Sequence, residues 1–419
     1  MTEGHEVRVI CSRGRYLEGK GTAPRREDRN GVSVQRVAAT SFGKRSLLGR
    51  LIDYLSFHAL ATAGVLFGRS ADVVVTLTTP PLIGLCGRLA SAFRGTKHVN
   101  FVMDLHPDAE FECDMIRRRS FAGQFFSKIA GSILRQADMN VVLGRFQGAR
   151  VRNWGVDQSK ITEIPVWSDG DEIAPVPHAE NPLRERMGWN DRFVVMYSGN
   201  AGIVHVFDEI LDAAGRLAQT DPEVLFVFVG GGPRKAEIEA GVEAKKLKNV
   251  QFLNYFDRSE LRFSLSAADV HFMSLSPRHV GVAVPGKLYG ILAAGRPVLF
   301  VGSPQSDSAA TILGAKAGSI FAIGEGGELA GEILELKSNP DKCREQGERG
   351  RAHFMKHHER AVCVAAWCTL LESMAGVECP DPQIESESAS EAWALDDVRG
   401  ALPAAPARSS RVETLKQVR

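Results

Sequence analysis

Three turns in the second half of the chain combine glycine with a polar or cationic side chain at the start of a helical segment. They read YSGNAGIVH (197–205), VGGGPRK (229–235) and VPGKLYG (284–290). Small residues let backbone N–H groups approach an anion, and the N-terminus of a helix favours negative charge. Lys287 stands near the start of its helical segment, where a cation opposes the helix dipole and therefore calls for an anionic partner. The chemistry that these turns predict is the binding of phosphate.

The side chains around the turns extend this prediction. Arg234 and Lys235 follow the triple glycine and could reach back over it toward a phosphate. Asn200 and Gly202 would contribute backbone N–H groups at the first turn. Glycine-rich strand-to-helix turns also occur in doubly wound folds for structural reasons alone, so the prediction depends on the three turns occurring together.

The composition is that of an ordinary globular protein and excludes several classes of function. The chain has 419 residues, of which 44% are apolar and 24% charged, and its formal net charge is +1. A charge so close to zero provides no field that would attract nucleic acid. The seven cysteines contain no CxxC pair and no Cys/His zinc spacing, which is typical of reduced thiols in a cytoplasmic protein.

Short apolar runs alternate with helical segments along the chain, and these elements must position the turns. Twelve runs predict strands, at 6–11, 32–37, 72–77, 97–103, 139–143, 160–165, 192–198, 224–230, 249–254, 269–274, 296–302 and 319–323. Runs that are apolar throughout indicate strands buried on both faces, and their alternation with helices predicts parallel, doubly wound sheets. Twelve strands are too many for one ordinary sheet, so the predicted fold class is α/β with two doubly wound domains.

A polar, proline-bearing segment near the middle of the chain predicts a linker between the two domains. We expect a first domain at 1–168, the linker at 169–182, a second domain at 183–345 and C-terminal helices at 346–378. The remaining residues, 379–419, are rich in Glu, Ser, Ala and Pro, and this composition predicts disorder.

The motifs, taken in order, resemble those of glycosyltransferase family 4. Besides the three turns, they include AADVHFMSL (267–275), FVMDLHPDAEF (101–111) and KITEIPVWSD (160–169). The chain resembles in particular the bacterial fucosaminyltransferase-like branch of O-antigen and exopolysaccharide transferases, over residues 4–375. The resemblance implies the GT-B fold, in which two Rossmann-like domains face each other across a cleft. It also implies that a C-terminal helix, here within 359–374, crosses back to the first domain.

The resemblance implies transfer of a sugar, with retention at the anomeric carbon, from a nucleotide-diphosphate donor to a saccharide or lipid-linked acceptor. A UDP-sugar is the expected donor, and no metal or other cofactor is expected, because such enzymes use cations and helix N-termini instead. The implied donor-binding residues are Gly199, Asn200, Gly202, His205, Gly231, Arg234, Lys235, Pro285, Gly286, Lys287, Leu288 and Tyr289. Asp104 and His106, which follow a predicted strand of the first domain, are the implied catalytic residues. His106 could instead be bonded to nearby backbone, and His205 could cap local structure.

Two departures from the family pattern predict weak activity or none. The family's Glu-x7-Glu pattern is missing, with Val280 or Val282 at its first position and Gly290 at its second. The family's first strand, glycine-rich loop and first helix would precede Gly4, so the chain resembles a truncated member with a weakly stable first domain. Two alternatives stay open: a member that binds nucleotide sugar without catalysis or partners an active transferase, and a GT-B nucleotide-sugar 2-epimerase.

Residues 42–69 are the segment that bears on where in the cell the protein lies. The segment has a basic start and an apolar stretch that Asp53, Tyr54 and His58 interrupt. These interruptions argue against a membrane-spanning helix and favour an amphipathic helix at the membrane surface. A buried crossover helix of the first sheet is the other interpretation. We therefore expect a cytoplasmic protein with peripheral contact at the inner face of the cell membrane.

Overall fold

The computed structural model describes residues 4–13, 23–42 and 47–377. The predicted disordered segment 379–419 lies outside these residues. In chain order, strands β1 to β13 are Arg8–Ser12, Arg26–Arg29, Val32–Val37, Val73–Thr76, Lys97–Phe101, Met139–Val142, Ile161–Glu163, Phe193–Ser198, Val224–Val229, Val250–Leu253, Val270–Ser274, Val298–Val301 and Gly318–Phe321. Helices α1 to α14 are Leu47–Leu66, Gly84–Arg94, Asp108–Glu112, Phe121–Gln136, Arg145–Asn153, Pro182–Met187, Asp208–Thr220, Lys235–Ala244, Leu261–Ser266, Lys287–Ala293, Asp307–Ala315, Gly326–Ser338, Pro340–His357 and Arg360–Ala375.

The second half of the chain forms one parallel sheet in the order β10-β9-β8-β11-β12-β13. Strand β9, with the sequence VLFVFV, is buried at every residue, as expected of a strand covered on both faces. Strand order reverses between β8 and β11, and ligands of doubly wound sheets bind at such a switch point, outside the carboxyl ends of the strands. The three glycine-containing turns follow strands β8, β9 and β11, so they meet at this edge.

The first half forms two sheets, β4-β5-β6-β7 and β1-β3-β2. All twelve predicted strands are present, and the predicted α/β class with two doubly wound regions is confirmed. Strand β2 was not predicted, because its sequence REDR carries no apolar residue. It runs antiparallel to β3 at the edge of its sheet and is largely exposed, so pairing with β3 rather than burial gives it its form.

The last helix, α14, lies against the sheet of the first half. The ring of Trp367 meets that of Phe101 edge-on, with centroids 4.9 Å apart. Cys363 is buried in the same cluster as Val99 and Val141, which belong to β5 and β6. The chain therefore passes between the halves twice, once before β8 and once before α14, where Ser168 and Glu359 form an isolated β-bridge. 

Helix α1 has two apolar faces with different surroundings. One face belongs to a small core cluster of the first half, formed by Ile10, Phe57, Ala61, Val65, Ile83 and Cys86. The other carries large apolar side chains that remain 40% to 67% exposed, at Leu48, Leu51, Ile52 and Leu55. The helix is thus a crossover element that also presents an apolar stripe to solvent. Within the described residues, no helix is both long and apolar enough to cross a membrane.

Candidate functional site

Lys287 lies at the switch point of the second-half sheet, at the first position of α10. Its ammonium donates to the hydroxyl of Tyr197 over 2.5 Å and stands 3.9 Å from the centroid of that ring. A Cβ placed on Gly199 would be only 3.6 Å from Lys287 Nζ, so the ammonium lies directly against the first turn. Lys287, which belongs to the third turn, therefore lies beside the first turn.

The Lys287 ammonium has no counter-charge in the part of the chain that the structure describes. Burial lowers its pKa from 10.5 to about 7, and no carboxylate opposes that effect. An ammonium buried without a paired anion is costly, and it either loses its proton or gains a negative partner. Lys287 is therefore a candidate for binding an anionic ligand.

The ring of His205 lies beside the ammonium of Lys287. Its Nδ1 donates to the carbonyl of Ser274 over 2.5 Å, which leaves Nε2 unprotonated and 3.5 Å from Lys287 Nζ. Burial, reinforced by the nearby charge of Lys287, lowers the pKa of His205 to about 3. The ring is therefore neutral, and it both anchors the first turn to β11 and faces the cation.

The first two turns are joined by their backbones. The amide of Ala201 donates to the carbonyl of Gly231 over 2.7 Å, and the amide of Arg234 donates to the carbonyl of Ala201 over 3.1 Å. Gly232 has φ of +133°, and a Cβ there would lie 2.6 Å from the Ala201 backbone. Only glycine permits this approach, so Asn200, Gly202 and Gly231 are held in one compact unit beside Lys287.

The three cationic side chains that the sequence predicts to bind phosphate differ in their ionic partners. The guanidinium of Arg234 pairs with Glu237 and donates to the carbonyl of His205, and Lys235 Nζ is 3.9 Å from Glu239. Both therefore have carboxylates of their own on α8, whereas Lys287 has none among the described residues. We expect Lys287 to contribute most to anion binding, with Arg234 and Lys235 supporting it.

The remaining predicted donor-site residues divide between crevice and core. Pro285 and Gly286 are partly or fully exposed at the start of α10. Leu288 and Tyr289 are almost fully buried in a core cluster, and the Tyr289 ring packs 4.6 Å from that of His358. The latter two side chains therefore stabilise the helix that carries Lys287 rather than face the crevice.

Asp104 and His106 lie beyond the carboxyl end of β5, beside a small, partly open hollow. The Nδ1 of His106 is 2.8 Å from Glu110 Oε1, one helical turn further on. This ion pair lowers the pKa of Glu110 against the effect of burial, while burial raises the pKa of Asp104. Sequence reasoning missed Glu110, although its spacing of four residues from His106 was a usable signal.

The two halves of the chain are in contact between Asp104 and the segment that leads into Lys287. Asp104 forms an isolated antiparallel bridge with Ala283, and the amide of Leu105 donates to the carbonyl of Val282 over 2.9 Å. Val282, one of the two positions at which the resemblance implied a glutamate, is fully buried in this contact. The segment that leads into Lys287 thus lies next to Asp104, so the two halves touch between their candidate residues. No group of three or more potential metal ligands occurs among the described residues.

Each half of the chain matches a protein-family model. Residues 2–167 match the model described as "Glycosyl transferase 4-like domain", and residues 180–353 match "Glycosyl transferases group 1". The chain is 27% identical over 233 residues to "Probable glycosyltransferase WbjE" of Pseudomonas aeruginosa, an alignment that covers 56% of the chain and 58% of that protein. It is 26% identical over 314 residues to "Putative colanic acid biosynthesis glycosyl transferase WcaI" of Escherichia coli, covering 70% of the chain and 74% of that protein.

Solved structures share the architecture. Sucrose-phosphate synthase from Thermosynechococcus elongatus matches with a TM-score of 0.68 and 17% identity, covering 90% of each chain. HepE from Anabaena, solved with UDP-glucose, matches with a TM-score of 0.63 and 16% identity, covering 82% of the chain and 86% of HepE. These likenesses show the GT-B fold, which is built from two Rossmann-like halves. The chain belongs to glycosyltransferase family 4, as the sequence predicted.

Proposed function

We propose that this protein is a retaining glycosyltransferase that moves a sugar from a UDP-sugar to a saccharide or lipid-linked acceptor in cell-surface polysaccharide biosynthesis. The observation that carries the proposal is the ammonium of Lys287, which lies beside Gly199 at the switch point and has no carboxylate partner among the described residues. Its support from similar proteins is the UDP-glucose complex of HepE and the colanic acid pathway in the name of WcaI.

In this proposal the diphosphate of the donor binds against Lys287 and the backbone of the first turn. Transfer breaks the bond between the anomeric carbon and the diphosphate oxygen, and the cation stabilises the charge that develops on that leaving oxygen. No metal ion takes part, because Lys287 and the turn amides supply the positive potential. Binding of the diphosphate also raises the lowered pKa of Lys287, so that the ammonium is fully charged when the bond breaks.

The first half would hold the acceptor. Asp104 and His106 border a hollow at the cleft, and the Glu110 contact at Nδ1 of His106 leaves Nε2 directed to other partners. We assign His106 to a hydroxyl of the reacting sugars, with Glu110 orienting its ring. As the acceptor oxygen bonds to the anomeric carbon, its proton passes to the departing diphosphate oxygen, so that the products are the glycoside and UDP. We assign Asp104, which lies at the contact between the halves, to orienting the acceptor hydroxyl.

The test is donor binding and transfer with and without a chelator. UDP should bind with an affinity that excess EDTA does not change, as measured by isothermal titration calorimetry, with GDP and ADP as matched competitors. Transfer from UDP-sugars to lipid-linked acceptors should then give a product with the anomeric configuration of the donor, read by NMR coupling constants. EDTA-sensitive turnover that Mn²⁺ or Mg²⁺ restores would contradict metal independence.

The same assay separates the alternative functions. A 2-epimerase would convert the sugar of the donor without any acceptor, whereas a transferase leaves the configuration at C2 unchanged. A non-catalytic member would bind UDP-sugar and release no UDP in the presence of any acceptor. An ammonium at Lys287 that awaits an anion is compatible with all three functions at the level of binding, so turnover decides among them.

We also propose peripheral contact of α1 with the inner face of the cell membrane. The exposed stripe at Leu48, Leu51, Ile52 and Leu55 has helical spacing, and Arg50 lies on the same helix. An apolar stripe next to cations is the pattern of a helix that binds an anionic membrane surface. The helix would then hold the first half, and its acceptor, near the lipid.

Leu51→Glu/Leu55→Glu should abolish binding of the protein to phosphatidylglycerol-containing vesicles in a co-sedimentation assay. Two buried apolar side chains in the acyl boundary contribute about 3–6 kcal/mol, so their loss should lower vesicle affinity by about a hundredfold or more. The matched control is Leu313→Glu, an exposed leucine on α11 of the second half. Equal sedimentation of both variants with wild type would rule out α1 as the contact.

A further inference from the structure

The segment of the second half that leads into Lys287 is held by a side chain of the first half. Arg150, on α5, donates from Nε to the carbonyl of Val280 over 2.7 Å and from Nη2 to the carbonyl of Arg278 over 3.2 Å. The two carbonyls belong to the short stretch between β11 and α10. One guanidinium thus grips two backbone positions within ten residues of the candidate phosphate-binding lysine.

Arg150 is itself fixed on the side away from the segment. Its Nη1 is 3.5 Å from Asp108 Oδ1 and 3.6 Å from Glu112 Oε1. Asp108 also accepts a hydrogen bond of 2.9 Å from Trp154 Nε1. A guanidinium held by carboxylates at one edge presents its other donors in a defined direction. Its position therefore does not depend on the carbonyls that it holds.

Helix α5 meets the second half at two further points. Gly281 has φ of +67°, and a Cβ there would lie 2.5 Å from the carbonyl oxygen of Phe146. At the N-terminus of α5, Asp307 accepts hydrogen bonds from the amides of Phe146 (2.9 Å) and Gln147 (3.3 Å). The second half therefore contacts α5 both at its first turn and along its side, and Arg150 holds two carbonyls just before Gly281.

We propose that Arg150 is a positioning residue for sugar transfer: it holds residues 278–283 so that the donor, bound on the second half, faces Asp104 and His106 of the first. This proposal rests on the proposed transferase function. Lys287 is anchored by Tyr197, a residue of its own half, so binding of UDP should not need Arg150. Alignment of the donor with the acceptor side should need it, because misplacement of reacting groups by about 1 Å lowers rates by about a hundredfold.

The expected result is a separation of catalysis from binding. Arg150→Ala should lower kcat about ten- to a hundredfold, while its Kd for UDP stays within about threefold of wild type. Arg150→Lys should recover only part of kcat, because an ammonium does not reproduce the fork of donors. Added guanidinium or methylguanidinium at low millimolar concentration should restore part of the lost kcat in Arg150→Ala. Arg152→Ala is the matched control, since Arg152 lies on the same helix and contacts Gln158 instead.

Hydrogen–deuterium exchange provides a readout that does not require activity. Peptides that cover 276–286 and 103–112 should exchange faster in Arg150→Ala than in wild type and Arg152→Ala. Unchanged exchange, a kcat equal to wild type, or a parallel loss of UDP affinity would each overturn the positioning role. A fall in thermal midpoint without rescue by guanidinium would also overturn it, as that is the behaviour of a merely structural arginine. If wild type itself neither binds UDP nor transfers sugar, the transferase proposal fails, and the exchange comparison still decides whether Arg150 holds the segment.

Discussion

Replacing Lys287 with methionine should remove most UDP affinity and at the same time make the protein more stable. Loss of a buried charge that pairs with the diphosphate should weaken binding by about 2–5 kcal/mol, or roughly 30-fold or more. The free protein, however, pays for burying an ammonium with no carboxylate partner among the described residues. Methionine has a similar volume and no charge, so the free energy of unfolding should rise by about 1–3 kcal/mol near neutral pH.

The lowered pKa of Lys287 gives both effects a pH signature. Between about 7, its pKa in the folded protein, and 10.5, its ordinary value, the unfolded chain binds more protons than the folded one. Stability contributed through this group therefore rises as pH rises through that window, and the advantage of Lys287→Met shrinks there. UDP binding has the opposite trend. The free lysine loses its proton above about pH 7, so Kd should increase toward tenfold for each further pH unit.

Titration calorimetry at pH 6, 7 and 8 and chemical denaturation across the same range measure the two trends. Lys235→Met is the matched control, because Lys235 is also on a glycine-containing turn but lies 3.9 Å from Glu239. It should lose less affinity and gain no stability. Wild-type affinity in Lys287→Met would remove this residue from the donor site and, with it, the main support for the proposed function.

Replacing His106 with alanine should abolish most turnover and leave donor binding intact. A side chain that transfers or shares a proton in the transition state accounts for about 10²- to 10⁴-fold in rate. His106 belongs to the first half, whereas the phosphate-binding turns belong to the second, so the Kd for UDP should stay within about threefold of wild type. The carboxylate of Glu110 lies 2.8 Å from Nδ1 and orients the ring, so Glu110→Gln should also lower kcat and leave the Kd for UDP unchanged.

Steady-state kinetics over pH 5 to 9 measure these effects, with His357→Ala as the control. His357 is an exposed histidine on α13, and its removal should leave kcat unchanged. If His106→Ala keeps wild-type kcat, then His106 is the loop histidine that the sequence left as an alternative. If it loses UDP affinity in proportion to kcat, its role lies in donor binding instead.

The sequence by itself determined twelve of the thirteen described strands and their layering, and it predicted where the site lies. Apolar runs such as VLFVFV can be buried only when both faces of a strand are covered, which requires parallel sheets with helices on either side. Parallel sheets bring the carboxyl ends of their strands to one edge, so the glycine turns had to meet. A cation at the start of a helix opposes the helix dipole, so Lys287 at the start of α10 predicted an anionic ligand. In the structure, Lys287 lacks a carboxylate partner within the described residues.

The local sequence pattern was less informative about an exposed edge strand and about the directions in which side chains of a helix point. Strand β2 has the charged sequence REDR, and only its pairing with β3 makes it a strand. Leu288 and Tyr289 follow Lys287 directly and were predicted to bind the donor. Successive residues of a helix point in different directions, however, and these two are buried in the core.

Only the tertiary structure decided how the two halves are held together. Arg150 and Val280 are 130 residues apart, and Asp307 and Phe146 are 161 apart, yet each pair shares a hydrogen bond. Nothing in the spacing of Arg150 distinguishes it from Arg152 two residues later. The difference is that one guanidinium faces the segment that leads into Lys287 and the other does not. Hydrogen bonds to backbone carbonyls leave no mark on the partner's side-chain sequence, so such contacts become visible only when folding brings the two backbones together.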